Sequence, residues 1–296
     1  MFAPMETNPT QTSTPISPET PPAAATRARL PLFTRLTLAM LVIVPLTFAI
    51  AALGTRIGIW GWQFGLLTLT LKVGLILLVV LGLVSLVALV AAGRSKPRRF
   101  VPVAVAFLGL AVVTVAAVFV GIAGSKGARN PIHDIATDTA NPPIFSAETM
   151  AERVDDKANP VSDYQIPLGE LAPYKGRVSK ELAVKSHAQI ITDSADRPAP
   201  LPLTGATREQ GVAAVAAAME AMGLGDIRQD VAAGRVEGVA TSFWFGFKDD
   251  VVARIGDAQI DFRSVSRVGV SDLGANTARI NELRSRTEAL LGKAAR

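Results

Sequence analysis

Residues 235–268 read RVEGVATSFWFGFKDDVVARIGDAQIDFRSVSRV, and how this stretch divides decides the fold of the second half of the chain. Arg235 to Phe247 is rich in β-branched and aromatic residues, with Val239, Thr241, Phe243, Phe245 and Phe247 on one face. Lys248-Asp249-Asp250 is expected to turn the chain, Val251 to Ile255 to return, and Gly256-Asp257 to turn it again. Gln259 to Val268 then makes a third strand. Strand side chains alternate, so Ile260, Phe262, Ser264, Ser266 and Val268 share one face, and Asp261, Arg263, Val265 and Arg267 the other. Turns this short specify an antiparallel three-stranded meander.

Helices are expected on either side of it. Thr207-Arg-Glu-Gln210 is a capping box, in which the Thr and Gln side chains satisfy each other's backbone amides. Val212, Val215, Ala216, Met219 and Met222 follow at helical spacing, and Gly223 supplies a left-handed stop. A second helix opens at Ser271 or Asp272, with Leu273, Thr277, Ile280, Leu283, Thr287 and Leu290 along one side. Helix, meander and helix give a two-layer α+β domain over residues 130–296. Asn159 to Leu203 is rich in Pro and Gly and reads mostly as loop, with a short strand at His187 to Thr192.

The first half is different in kind. Residues 1–129 carry 11 Lys and Arg against 2 Asp and Glu, while residues 130–296 carry 19 against 23. The overall net charge of +5 thus comes from the N-terminal half. Leu36 to Leu53, Ile57 to Ala92 and Phe100 to Ala123 are apolar runs, broken by one charge, Lys72. Each exceeds or approaches the roughly 20 residues a spanning helix needs. Three transmembrane helices are therefore expected within residues 34–125, behind a Pro- and Thr-rich disordered tail, residues 1–33. The second run is too long for one straight span. Its membrane core is placed at about residues 70–91, with Trp60, Trp62 and Phe64 at the interface. Lys72 near the end of that run suits snorkelling better than a buried functional charge.

Arg27, Arg29 and Arg35 precede the first run, and Arg94, Lys96, Arg98 and Arg99 separate the second from the third. The positive-inside rule puts these in the cytoplasm and everything after residue 124 outside it. Ala49-Ile50-Ala51 resembles a signal-peptidase site, but the basic region before it is unusually long. Cleavage would leave the domain on the same side. Basic charge that faces a membrane argues against nucleic acid as a partner. With no Cys, disulfides, thiolate zinc sites and thiol catalysis are excluded.

The richest polar set is Asp249, Asp250, Arg263, Arg267, Asp272, Asn276 and Arg279. Carboxylates beside Arg serve acid–base chemistry or hold an anionic ligand. They also form structural ion pairs, with Asp261 or Asp272 as the expected partners of Arg263 and Arg267, and that reading is favoured. His133, Asp134 and Asp138 are weak candidate metal ligands, because the only other His is His187. The plainer reading is that Asp138 and its neighbours cap turns. No cofactor motif is present; there is no Ser-His-Asp order, phosphate loop or HExxH.

Three blocks, HDIATDTANPPIF (residues 133–145), FGFKDDVVARI and DFRSVSRVGVSDLGANTARI, resemble the uncharacterised bacterial and plastid family catalogued as domain-of-unknown-function fourteen-ninety-nine. The resemblance covers about residues 130–294 and thins around residues 150–205. It implies a domain boundary, and it makes the His133 block the first ordered piece of the domain. It implies no reaction. Two functions remain open: a membrane-anchored binding or assembly module of the cell envelope, acting on envelope proteins, lipid or glycan, or an envelope enzyme using the Asp/Arg set on lipid or glycan. Transport is a weaker third, since three spans leave little room for a pathway.

Overall fold

The computed structural model describes residues 29–97 and 99–294. Most of the expected tail, residues 1–33, lies outside the described residues. Three helices follow: α1 (Leu32–Arg56), α2 (Gln63–Arg94) and α3 (Phe100–Arg129), of 25, 32 and 30 residues and mean hydropathy 2.5, 3.1 and 2.8. Each is long and apolar enough to cross a membrane, and most of their large apolar side chains face outward. The chain is a membrane protein on this ground. The helices meet through small residues, with Ala51, Ala52, Ser85, Ala88, Ala92, Ala106 and Gly109 buried. Helices already surrounded by lipid gain most from such close backbone approach.

The second span differs from expectation. Its helix is continuous from Gln63, and its first eleven residues, Gln63–Val73, are wound in wide π-type turns. A regular α-helix of this length would reach about 48 Å, well beyond a ~30 Å hydrocarbon core; wider turns shorten it. Trp60 sits in the α1–α2 connection, where its indole donates to the Ala51 carbonyl at 3.2 Å. Lys72 is exposed on the helix surface. At the other end of the bundle, α3 continues past Ala123 to Arg129 and leads into the domain.

The domain runs β1 (Asp134–Ala136), α4 (Ala147–Asp155), a 3-10 turn at Leu168–Glu170, α5 (Lys180–Ala183), α6 (His187–Asp193), β2 (Leu201–Pro202), α7 (Arg208–Ala221), β3 (Gly225–Asp230), β4 (Arg235–Thr241), β5 (Lys248–Ile255), β6 (Gln259–Ser266) and α8 (Ala275–Ala294). The expected meander is present as β4–β5–β6, but the sheet has six strands. Its order is β1-β6-β5-β4-β3, with β2 also paired to β6, and every pairing is antiparallel.

Several details are corrected. The first meander strand ends at Thr241, and Ser242–Phe247 is a loop, so Phe243, Phe245 and Phe247 do not share a sheet face. Asp249 and Asp250 are strand residues, paired with Ala240 and Val239 on one side and Ser266 and Val265 on the other. The turn lies earlier because Ser242 and Gly246 close it: the Gly246 amide donates to the Ser242 carbonyl at 3.1 Å. Residues His187–Asp193 form a helix, not a strand. Ser186 and Gln189 make a capping box there, which outweighs the strand preference of Ile190, Ile191 and Thr192.

The helices α7 and α8 cover one face of the sheet. Phe262, Val251, Ala253, Ile255 and Ile260 pack there against Val212, Val215, Met219, Ile280 and Leu283. The capping box of α7 forms as expected, and Gly223 has φ of +75° at its end. The opposite face is also covered. The chain from Thr137 to Val161, including α4, lies over it, with Phe145 against Val252 and Val265. The two expected layers are thus joined by a third, partial one.

Candidate functional site

Sheet alternation sorts the polar residues before any partner is considered. Asp249, Ser264 and Ser266 fall on the α7/α8 face. Glu237, Asp250, Arg254, Asp261, Arg263 and Arg267 fall on the other. That second face is a row of charges beneath the strap formed by residues 137–161, buried except for the half-buried Arg254.

Arg263 is the centre of one group. Its Nε and Nη2 donate to the two Asp134 oxygens at 2.9 and 2.7 Å. Its remaining donors reach the Pro143 carbonyl at 3.1 Å and the Ser162 carbonyl at 3.2 Å. The guanidinium lies over the Tyr164 ring, 4.9 Å from its centroid. Tyr164 donates to Asp134 at 2.6 Å, and the Ser162 amide does so at 2.9 Å. Burial would raise the Asp134 carboxyl, but the charge and hydrogen bonds of Arg263 outweigh it and hold the group at about 2. The partner is therefore Asp134, not Asp261 or Asp272.

Behind this pair sit both histidines and both tyrosines of the chain. The Tyr174 hydroxyl lies 2.7 Å from His133 Nδ1 and 3.2 Å from His187 Nε2. Tyr174, His133 and His187 are fully buried. Burial pushes His133 down and His187 down to about 4, although Asp134 pulls both upward. Both shifts favour the neutral imidazole. Burial likewise raises the Tyr174 and Tyr164 hydroxyls.

Arg267 builds a second group. It holds Asp250 through Nη2 at 2.6 Å and Nε at 3.0 Å, and it also reaches Glu152 and Asp156 on the α4 side. Arg153 of α4 pairs with Asp250 from the other direction and donates to the Asn159 carbonyl at 2.7 Å. Glu237 accepts from the Ser146 and Thr149 hydroxyls at 2.6 and 2.7 Å. Arg254 bridges Asp138 and Asp261, each at 2.9 Å. Asp138 also accepts from the Ala140 and Asn141 amides, the turn-capping role expected of it.

On the helix face, Asp249 pairs with Arg279 at 2.7 Å. Arg279 also bonds the Ser264 hydroxyl and Asn276, and Asn276 donates to the His133 carbonyl at 2.9 Å. Asp272 caps α8 by accepting from the Gly274 and Asn276 amides at 2.8 Å, and burial raises its carboxyl.

The seven residues singled out in the sequence therefore do not converge. Asp250, Arg263 and Arg267 lie on one side of the sheet, Asp250 with Arg267; Asp249, Asp272, Asn276 and Arg279 lie on the other. Every one is engaged with a protein partner. His133 and Asp138 are apart and committed elsewhere, and among the described residues no three metal-ligating side chains come together. Sequence reasoning missed Asp134 as the Arg263 partner, and Tyr164, Tyr174, Arg153 and Glu237 altogether. The one available signal was scarcity: two Tyr and two His in 296 residues.

An open cleft of about 760 Å³ lies away from this network, where α3 meets the domain. Lys126 and Arg129 of α3, Lys185, Asp193, and Thr277 and Asn281 of α8 line it. A second concavity of about 470 Å³ shares Lys126 and Arg129 and runs down α3 along Val118, Gly121 and Ile122. Leu273 stands at the rim of the first with φ of +56° and its side chain half exposed, not on the buried stripe of α8. A γ-branched residue held there is strained, and such strain concentrates at functional sites.

A protein family described as "Protein of unknown function (DUF1499)" matches residues 134–286. No curated protein matches the chain, and no solved structure does.

Proposed function

The chain belongs to this DUF1499 family, and we propose that it works as a membrane-anchored binding module of the cell envelope, with its C-terminal domain outside the cytoplasm. The observation that carries the reading is the contrast between the two polar regions. The Asp/Arg set is buried and paired on two sheet faces, an arrangement suited to holding a strap on a sheet. Acid–base chemistry needs groups that meet at a substrate, and Arg263 and Asp249 are divided by the sheet. The cleft at the end of α3 is open, carries Lys126 and Arg129 on its membrane side with Asp193 and Asp196 opposite, and shares those two cations with a shallow concavity along Val118, Gly121 and Ile122 of the same membrane helix. That combination suits an amphiphile: an anionic head at Lys126 and Arg129, and a tail along Val118 and Ile122. An envelope lipid or a lipid-linked glycan has this chemistry.

The proposed sidedness rests on the basic residues. Arg29, Arg35, Arg94, Lys96 and Arg99 flank the end of the bundle remote from the domain.

The test is native mass spectrometry of the full chain in mild detergent, offered phosphatidylglycerol and phosphatidylcholine in turn. The expected result is a discrete phosphatidylglycerol adduct, lost when Lys126 and Arg129 are both changed to Ala. Equal retention of the two lipids, or an unchanged adduct in the double variant, would contradict the reading.

A further inference from the structure

The loop Ser242-Phe243-Trp244-Phe245-Gly246-Phe247 joins β4 to β5 at the end of the sheet nearest the helices. We propose that it is a bilayer anchor: Phe243 and Trp244 enter the lipid beside α1 and fix the height of the domain on the membrane.

Three independent observations support this. The first is depth. Trp244 packs edge-on against Phe48 with centroids 5.3 Å apart, and Phe245 does so at 6.0 Å. Phe48 lies within the apolar part of α1, eight residues before Arg56, hence about 12 Å below the end of that helix. The rings touching it share that depth. Phe247 meets Trp62 at 6.5 Å, at the head of α2.

The second is exposure. Phe243 is 77% and Trp244 49% exposed. Two large aromatics bare to water would be a costly patch, but beside spanning helices they belong to the aromatic belt at the lipid interface.

The third is backbone accounting. Peptide groups entering lipid need partners of their own. The Ser242 amide donates to the Phe247 carbonyl at 2.8 Å, and the Phe247 amide to the Ser242 hydroxyl at 2.9 Å. Arg56 of α1 donates to the Ser242 and Phe243 carbonyls at 2.9 and 2.6 Å. The loop thus closes at its base and on the membrane helix, leaving the Phe243, Trp244 and Phe245 amides at its tip for the polar headgroup layer.

The occupant is lipid, because the surface is continuous with helices that lipid already surrounds. The anchor stands whether or not the cleft binds an amphiphile.

The chain has no Cys, so a single introduced thiol can be labelled without background. Phe243→Cys and Val231→Cys, carrying an environment-sensitive fluorophore, are compared in the full chain reconstituted into phosphatidylcholine vesicles. Val231 is in the β3–β4 turn at the far end of β4, about 20 Å away along the strand. The label at 243 should emit to the blue of that at 231, be quenched by nitroxides high on the lipid chains, and resist aqueous iodide. A Trp60→Phe/Trp62→Phe variant gives a second readout through native Trp244, with the same nitroxide quenching expected. Emission and quenching at 243 matching those at 231 would overturn the proposal. So would self-quenching between labels that vanishes on dilution in lipid, since a second copy would then cover the loop.

Discussion

Arg263 of β6 ties three separate segments together: the edge strand β1 through Asp134, the Pro143 turn, and the Ser162 loop. Its burial makes the pair costly to form and more costly to break. Arg263→Ala should therefore destabilise the domain by roughly 3–5 kcal/mol, and adding Asp134→Ala should cost less than the sum of the two. Urea unfolding of the three variants measures this; a stable Arg263→Ala protein that has lost its cellular role would contradict it. His187 supplies a pH dependence. Its folded pKa of about 4 lies below the ordinary 6.5, so its contribution is full above about 6.5 and is lost as pH falls toward 4. The loss is roughly 3 kcal/mol at about 1.4 kcal/mol per unit. Asp134, held at about 2 below its ordinary 3.8, adds a further loss only in stronger acid. Denaturant unfolding between about pH 7 and pH 4 should show a steeper decline in the wild type than in His187→Phe; equal slopes would contradict it. At this scale the sequence located the right arginines and the wrong partners. Strand alternation is local and legible, whereas Asp134 is 129 residues from Arg263, a separation that no local pattern encodes.

The elements divide along the same line. The α7 helix was legible to within a residue because its capping box, apolar stripe and terminal Gly agree. The α6 helix carried a capping box of the same kind, Ser186-x-x-Gln189, hidden by three β-branched residues. The strand β3, GDIRQD, has no alternation and a register shift, and β1 and β2 are too short to show a period. They are strands only because β4 and β6 offer edges to pair with. Gly234 is the most demanding position in the β3–β4 turn: φ is +60°, and a Cβ there would come 2.4 Å from the Ile255 carbonyl oxygen. Gly234→Ala combines a left-handed cost of about 1–2 kcal/mol with a clash against backbone. It should lower the thermal midpoint clearly, whereas Gly176→Ala, equally left-handed but in open space, should show only the first effect. Equal losses at the two sites would mean that the β5 backbone yields freely.

For the whole molecule, the helix bundle and the domain were separable in the sequence by composition alone, and the contact between them was not. The three apolar runs announce themselves by length; the aromatic loop reads as one more strand until its partner, α1, is in place. The domain owns its core, since the buried cluster from Ile132 to Leu283 draws on no residue of α1 to α3. Residues 130–296 alone should thus unfold cooperatively in urea, and a molten, non-cooperative product would show dependence on the helices. The central claim is that this domain is a membrane-held module facing out of the cytoplasm. Ile144 is exposed on the strap and Ser95 lies in the α2–α3 connection at the opposite end of the bundle. In a chain without Cys, Ile144→Cys and Ser95→Cys can be probed in intact cells with a membrane-impermeant maleimide. The account predicts that position 144 is labelled and position 95 is labelled only after lysis; the reverse pattern would place the domain in the cytoplasm and contradict it.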